Sequence, residues 1–373
     1  MGPSGAEAKV FRRRGGMLGR SFRGAIAPLL QDAAMPSPSR FTAYLVSQTE
    51  PGTFRGEVRT DLALEQLPPD DLLIRVDCSS INYKDALSAA GRPGITRDYP
   101  HIPGIDAVGT VVSSASGTSC AFAPGTPVII TGHRFGMDHW GGFAEYIRVP
   151  AEWAVPLPAG LSAVASMRLG TAGFTAALAV DAILGRDRDR ARPGDPVLVT
   201  GATGGVAMAA IAILAHLGIP VTAVTRKEGA IRGRLLQLGA QSVITPAELD
   251  GGPKPLTRER WTGVVDTVGG PGLEALFKST AAGGVVTTCG MAAGNHFESS
   301  VFPFILRGIA LVGIDSAEQP MANRRRIWDL LAGPWNTDLE AICTEIRLDG
   351  ITGVVRELLA GTHVGRTVVR IGA

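Results

Sequence analysis

The sequence predicts an α/β protein in which a β-rich domain precedes a doubly wound parallel-sheet domain. Two textures and one motif point to this. From Phe41 to about Leu157 short apolar runs alternate with turn residues, whereas from about Pro196 onward strand-like and helix-like segments alternate. Near that junction, Leu198 to Ala207 reads L-V-T-G-A-T-G-G-V-A: an apolar run, a glycine-dense turn and the start of a helical pattern. A chain of 373 residues, 45% apolar and 19% charged, has a core-forming composition and exceeds one ordinary core.

In the first region strands are expected at Phe41–Val46, Leu72–Ser79, Ala107–Ser114, Pro127–Thr131 and Ala144–Val149, with rigid turns at Ile102-Pro103-Gly104-Ile105-Asp106 and Pro124-Gly125. After Ser162 the pattern becomes helical, first over Ala163–Leu169 and then in a second apolar stretch to Ala182. β-Branched residues at Val197, Val199 and Thr200 mark the strand that feeds Gly201, Gly204 and Gly205, and a helix follows over Ala207–Leu217. A second strand, Val221–Val224, and others at Gly263–Asp266, Gly284–Cys289 and Ala310–Gly313 extend the parallel sheet, with a helix at Gly272–Ser279. The tail, Ile351–Ile371, supplies a helix and a last strand, Arg366–Ile371.

The glycine-dense turn has the makings of a dinucleotide cradle. Gly201, Gly204 and Gly205 let the backbone turn tightly and bring its N–H groups close to a pyrophosphate, and the following helix aims its positive end at the same charge. The spacing Gly201-x-x-Gly204-x-x-Ala207 is a variant of the usual fingerprint, with Ala still small enough for close helix–strand packing. About 20 residues on, where an NAD-binding unit carries Asp or Glu, this chain has Thr225-Arg226-Lys227. A hydroxyl and two cations suit a 2′-phosphate, so NADP(H) is favoured over NAD(H). If the cations merely solvate a loop, neither cofactor is preferred.

Charge and cysteine usage exclude several classes. The net charge is +2, but residues 1–40 hold seven Lys or Arg against two acids, so the remaining body is slightly acidic and offers no nucleic-acid surface. Cys78, Cys120, Cys289 and Cys343 show no paired spacing and read as small apolar residues in a reducing compartment; a cytoplasmic protein is expected, or an organelle-targeted one if the basic N-terminal extension is a transit segment. The longest apolar stretch, Leu169 to Leu184, carries Gly and is broken by Asp181, too short and interrupted to span a bilayer. Residues 1–39, with Arg12, Arg13, Arg14, Arg20 and Arg23, have no period that sustains a core element and are expected to be a disordered basic extension. An organelle transit segment, a start codon wrongly chosen before Met35 and an artefact of the expressed sequence compete as its origin. The second is favoured, because Gly24 and Pro28 interrupt the weak amphipathic helix of Met17–Leu30 that a transit segment needs.

Further motifs occur in fixed order: Ser79-Ser80-Ile81-Asn82-Tyr83-Lys84-Asp85, Pro103-Gly104-Ile105-Asp106, His139-Trp140-Gly141-Gly142, Gly170-Thr171-Ala172-Gly173-Phe174-Thr175-Ala176, Val265-Asp266-Thr267-Val268-Gly269-Gly270 and Pro303-Phe304-Ile305-Leu306-Arg307. Over residues 41–373 the chain resembles the medium-chain dehydrogenase/reductase superfamily, in its zinc-independent acrylyl-CoA reductase and quinone-oxidoreductase-like branch. The resemblance implies a GroES-like catalytic domain over 40–163, a Rossmann domain binding NADP(H) over 164–314, and a C-terminal segment, 315–373, that returns to the first. Zinc-dependent members place Cys near Asn82 and Gly-His-Glu where this chain has Gly104-Ile105-Asp106, and they carry a four-cysteine lobe that this chain lacks, so no metal is expected. His133 and His139, with Asp138, are better read as loop residues of a substrate cleft than as ligands.

Without a metal, the accessible chemistry is hydride transfer from NADPH to a carbon–carbon double bond conjugated to a carbonyl, most simply acrylyl-CoA to propionyl-CoA. The resemblance implies catalytic positions at Tyr83, Asn82 and Asp85, with Asn82 and Asp85 in supporting positions of the same turn. Tyr83 either protonates the α-carbon or packs against the nicotinamide while solvent gives the proton. Cofactor contacts are implied for Tyr83, Gly201, Thr203, Gly204, Gly205, Val206, Thr225, Arg226 and Lys227, for Met291, Ile305 and Ser316 around the nicotinamide, and for Arg366 near the cofactor or the CoA arm. Ala207 and the Arg226-Lys227 pair depart from relatives and put the 2′-phosphate affinity in question. The loop Gly132–Gly142 and the run Arg186–Arg192 are candidates for the CoA phosphates, unless they simply solvate a surface. A quinone reductase shares every cofactor residue, and a non-catalytic NADPH-binding protein is the alternative of another class. A homodimer, with no nucleic-acid or membrane partner, is expected through the apolar strand Ala310–Gly313 at the sheet edge.

Overall fold

The computed structural model describes residues 39–115, 122–186, 194, 196–227, 229–249 and 252–372. The basic extension up to residue 38, Cys120 and most of the Arg186–Arg192 run lie outside these residues. The chain opens with a two-stranded antiparallel ribbon of β1 (Arg40–Glu50) and β2 (Thr53–Ala63). No strand is expected at β2 from the sequence: most of its residues are exposed and only Leu62 is buried, so it lacks the run of buried apolar residues that marks β1. Then come β3 (Leu72–Ile81), helix α1 (Tyr83–Ala89), β4 (Asp106–Ser114), β5 (Pro127–Thr131), β6 (Tyr146–Val149) and β7 (Ala154–Pro156). β3, β4, β5 and β7 are antiparallel neighbours in that order, and β6 pairs with β3.

Helix α2 (Ala163–Leu184) joins the two halves of the molecule. It is interrupted at Gly170 (φ 52°, ψ −156°), the point where the sequence pattern splits into two stretches. By length and composition α2 could cross a membrane, yet 72% of its apolar window is buried inside the protein, where it packs on strands of both sheets and on neighbouring helices. It is a core helix here.

The second half runs through β8 (Val197–Val199), α3 (Gly205–His216), β9 (Val221–Val224), α4 (Ala230–Gln237), β10 (Ser242–Ile244), β11 (Trp261–Asp266), α5 (Leu273–Ser279), β12 (Thr280–Thr288), α6 (Phe302–Arg307) and β13 (Ala310–Gly313). Its six strands are all parallel, in the order β10-β9-β8-β11-β12-β13. Numbered within the sheet this is 3-2-1-4-5-6, the doubly wound arrangement of dinucleotide-binding folds, with its switch point between β8 and β11. α3 is apolar on every side because it is sandwiched between sheet and α2; Ala207, Ala209, Ala210 and Ala212 keep the backbones close.

After α7 (Met321–Ala332) the chain forms β14 (Cys343–Ile346), α8 (Ile351–Leu359) and β15 (Arg366–Arg370). β15 pairs antiparallel with β3, Thr367 opposite Ile81 and Val368 opposite Ser80. The last strand is therefore zipped into the first sheet, and its leading residue, Arg366, lands beside the end of β3.

Candidate active site

The turn that follows β3 is built around two buried carboxylates. Asn82 precedes α1, and its backbone N–H donates to Asp85 Oδ2 at 2.7 Å. Asp85 Oδ1 accepts from the amides of Gly104 (3.1 Å) and Ile105 (2.8 Å), which staples the start of α1 to the Pro103–Asp106 turn. Burial, and secondarily the neighbouring Asp106 charge, push the Asp85 carboxyl up to about 7 against the pull of those three amides. Asp85 has no exposed surface. Expected in a supporting position of this turn, it holds the turn in place through these three amides.

Asp106 sits at the start of β4, also fully buried. Its Oδ2 accepts from Ser80 Oγ at 2.6 Å and Asn82 Nδ2 at 2.7 Å, and its Oδ1 from the Thr171 hydroxyl at 2.5 Å; the Thr171 amide bridges both oxygens at 3.0 Å. The counter-charge is Arg366, 3.8 Å away and 3% exposed. Its Nε donates to Arg168 O (3.1 Å), Nη1 to Ile81 O (3.1 Å) and Asn82 Oδ1 (3.0 Å), and Nη2 to Ser80 Oγ (2.8 Å) and Met167 O (3.4 Å). A guanidinium has five N–H donors, and all are committed. Gly170 completes the cluster: a Cβ there would fall 2.4 Å from Asp106 Oδ2 and 2.5 Å from Ser80 Oγ, so both the left-handed φ and the crowding demand glycine.

Asn82 and Arg366 are committed in the same cluster. The Asn82 amide is held at both ends, donating to Asp106 and, at 3.4 Å, to Ser80 O while accepting from Arg366, so it orients the turn and has no donor left for a substrate oxygen. Arg366 is close to the glycine loop, since a Cβ on Gly205 would come within 2.6 Å of its Cδ, but with every donor committed it supports the loop from behind and does not grip phosphate. Tyr83, in contrast, is 52% exposed and makes no hydrogen bond among the described residues. At this turn the Tyr83 hydroxyl and the neighbouring exposed Lys84 ammonium are the free side-chain donors among the described residues.

The loop between β8 and α3 lies at the switch point. Gly201 (φ 60°) backs onto Thr267, whose hydroxyl donates to Thr200 O at 2.9 Å. Asp266 ties the carboxyl ends of the central strands together, accepting from Thr200 Oγ1, Gly269 N and Thr288 Oγ1 at 2.6, 2.8 and 3.1 Å. No side chain caps α3, so the amides of Gly205, Val206 and Ala207 lack the partners a helix N-terminus requires, and the loop fits a pyrophosphate. Thr203, by contrast, lends its carbonyl to Gly365 N at 3.0 Å.

Thr225, Arg226 and Lys227 follow β9 at the same edge. The Thr225 hydroxyl accepts from Lys227 N at 3.0 Å, and Lys227 Nζ reaches the carbonyls of Thr362 and His363 at 3.4 and 3.3 Å. Arg226 is exposed and has no partner among the described residues. Met291 follows β12, 64% exposed, with its Cα against Gly269, and Ser316 follows β13, so both also belong to the carboxyl edge. Ile305 does not. It lies on α6, ahead of β13, two residues from Arg307, which bonds the carbonyls of Lys278 and Thr280 at the amino end of β12.

His133 and His139 serve the cleft loop. His133 (φ 54°) stacks on Trp153 at 5.1 Å, and His139 Nε2 meets Asp70 at 2.7 Å. Arg186 bonds Gly308 O at 2.9 Å. Sequence reasoning missed Arg324, a buried cation on the apolar face of α7 that donates to Thr131 Oγ1, Ser316 O and Ala317 O at 3.0, 3.3 and 2.8 Å. It ties β5 of the first sheet to the loop after β13 of the second. An Arg three and four residues before Ile327 and Trp328, on the face they bury, was the available signal.

Residues 68–159 match the alcohol dehydrogenase GroES-like domain, and residues 205–332 match the domain family named zinc-binding dehydrogenase. An acrylyl-CoA reductase of Ruegeria pomeroyi is 42% identical over 336 residues, covering 89% of this chain and 100% of that protein. The chain belongs to the medium-chain dehydrogenase/reductase superfamily. It falls in the branch of acrylyl-CoA reductases and quinone-oxidoreductase-like enzymes, and its two halves are the GroES-like and Rossmann-type domains of these oxidoreductases. A putative quinone oxidoreductase of Bacillus subtilis, YhfP, is 41% identical over 83% of this chain and 93% of its own; its structure, solved with NAD bound, has a TM-score of 0.84 and covers 89% of this chain and 100% of that one. An oxidoreductase of Salmonella enterica, solved with NADP, is 38% identical with a TM-score of 0.81 over 89% of this chain and 100% of its own. At the superfamily's metal-ligand positions this chain offers a fully committed amide, Asn82, and an apolar side chain, Ile105, neither of them a thiolate or imidazole.

Proposed function

We propose that this oxidoreductase uses NADPH, without a metal, to reduce the carbon–carbon double bond of a short enoyl thioester, acrylyl-CoA to propionyl-CoA. The observation that carries the proposal is the turn at Asn82–Asp85: an exposed Tyr83 hydroxyl held beside a committed Asn82, where a zinc enzyme would place a ligand. When bound, NADPH supplies a hydride to the β-carbon. The amides of Gly205, Val206 and Ala207 hold its pyrophosphate, and Arg226, the uncommitted cation after β9, meets its 2′-phosphate. The Tyr83 hydroxyl delivers the proton to the α-carbon, while Asn82 and Asp85 keep α1, and with it Tyr83, in place. The name of the Ruegeria relative and the NADP-bound Salmonella structure support this reading. We also propose a homodimer through β13, which among the described residues pairs only with β12.

NADPH oxidation measured against acrylyl-CoA, crotonyl-CoA, longer enoyl-CoA esters and a benzoquinone tests the assignment. The expected result is the highest kcat/KM with acrylyl-CoA, falling as the chain lengthens. A benzoquinone that outperforms every thioester would favour the second reading, NADPH:quinone oxidoreductase, which the name of the Bacillus relative supports.

A further inference from the structure

We propose that Asp106 and Arg366 are positioning residues that couple the dinucleotide loop to the catalytic turn, so that occupancy of the loop sets the orientation of Asn82 and Tyr83. The inference rests on the cofactor reading above only for the identity of the loop's ligand.

Arg366 touches both sites at once. On one side its stem fills the place where a Gly205 side chain would lie, and the preceding Gly365 donates its N–H to Thr203 O at 3.0 Å. On the other side its guanidinium reaches Ser80, Ile81 and Asn82. β15 is zipped to β3 in fixed register, so the arginine cannot slide between the two. Asn82 is gripped between opposite charges, its Oδ1 by Arg366 at 3.0 Å and its Nδ2 by Asp106 at 2.7 Å, and a rotation of that amide would reverse both contacts. The interruption of α2 lies in the same cluster: Met167 O and Arg168 O accept from Arg366, and Thr171 donates twice to Asp106. A shift of the segment 203–205 as it closes on an anion therefore moves Arg366, and Arg366 moves the turn. A plain structural ion pair would need neither the Gly205 contact nor the two-ended grip on Asn82.

Amide hydrogen exchange with and without saturating NADPH reads this coupling without turnover. In the wild-type protein NADPH should slow exchange both in the loop, residues 201–207, and in the turn, residues 80–86. In Asp106→Asn the loop should remain protected while the NADPH-dependent slowing in the turn drops by about fivefold or more, the lower end of ordinary coupling between sites. Because Asp106→Asn leaves a buried guanidinium without its counter-charge, Thr171→Val runs beside it, removing one hydroxyl donor to Asp106, with Thr171→Ser as the rescue; if Asp106→Asn does not fold, this pair decides. Turn protection that persists undiminished in Thr171→Val or Asp106→Asn, or a wild-type protein whose loop is protected and whose turn is not, would overturn the proposal. No protection at 201–207 would overturn the cofactor reading and this proposal with it. Intact coupling with no enoyl-CoA turnover would strike the substrate assignment alone.

Discussion

The glycine loop at Leu198–Ala207 and the turn at Ser79–Asp85 are organised by opposite means. The loop presents backbone amides, which every residue but proline carries, and its requirements are local: small residues, a strand before, a helix after. The turn is held by side chains, and its partners come from Asp106 on β4, Thr171 on α2 and Arg366 on β15, up to 286 residues away in sequence. Backbone chemistry tolerates substitution wherever the shape survives. A buried charge network does not, because removing one member leaves a buried charge or hydrogen-bonding group of another unmet.

That contrast yields a graded set of outcomes. The largest is expected for Arg366→Met, which strands Asp106 as an uncompensated buried charge and should lower stability by about 3–5 kcal/mol in urea unfolding. A loss below 1 kcal/mol would mean that the turn is not organised by this pair. Next come two glycines of one loop. Gly205→Ala forces a Cβ to within 2.6 Å of Arg366 Cδ and should destabilise by about 1–3 kcal/mol, as overpacking does. Gly204→Ala meets only Gly201 O, at 3.4 Å, and should leave stability within about 0.5 kcal/mol, as an unstrained surface substitution does, while weakening NADPH binding from the ligand side. Equal melting temperatures for the two would erase the distinction between loop glycines that serve the ligand and those that serve the network.

Arg226→Ala should raise the KM for NADPH roughly tenfold or more, the worth of a charge-assisted hydrogen bond, without altering kcat, unfolding or the KM for NADH. An unchanged KM would return Arg226 to the solvated surface. The last outcome is a pH profile and concerns Asp85. Its carboxyl is raised to about 7 in the folded protein, so the folded state holds that proton more tightly than the unfolded chain does. Its contribution is complete below the unfolded carboxylate value and is lost as pH rises towards about 7. The stability difference between wild type and Asp85→Asn should therefore shift against the wild type between pH 4.5 and 7 and level off above it, read by thermal unfolding at intervals of half a pH unit. A flat difference would mean that the three amide donors outweigh burial.

Much of the fold was legible because its signals are periodic. Pro127–Thr131, Val221–Val224 and Ala310–Gly313 are strands with the boundaries their apolar runs suggest, and the break at Gly170 was visible as two stretches in one helical region. β2 was not, because an exposed ribbon strand lacks a run of buried apolar residues. In the site, the spacing of the loop glycines placed them between a strand and a helix, where the structure has β8 and α3, and the basic residues follow β9 at the same edge. Motif order also places Asn82 and Asp85 as supports of one turn and Arg366 near it, but does not show that the Asn82 amide, the Asp85 carboxylate and all five Arg366 donors are already occupied.

The amino-acid sequence alone therefore determined the order of the two sheets, the place of the dinucleotide cradle and the absence of thiolate and imidazole ligands at the turn, since these depend on residue type and on neighbours a few positions away. Only the tertiary structure decided which polar groups remain free. Pairing β15 with β3 consumes Arg366, seating Gly170 over Asp106 consumes Thr171, and the Tyr83 hydroxyl is left over at the turn. Hydrogen-bonding capacity is finite and is filled by whatever folding brings within about 3 Å, so availability for chemistry is a property of the assembled core.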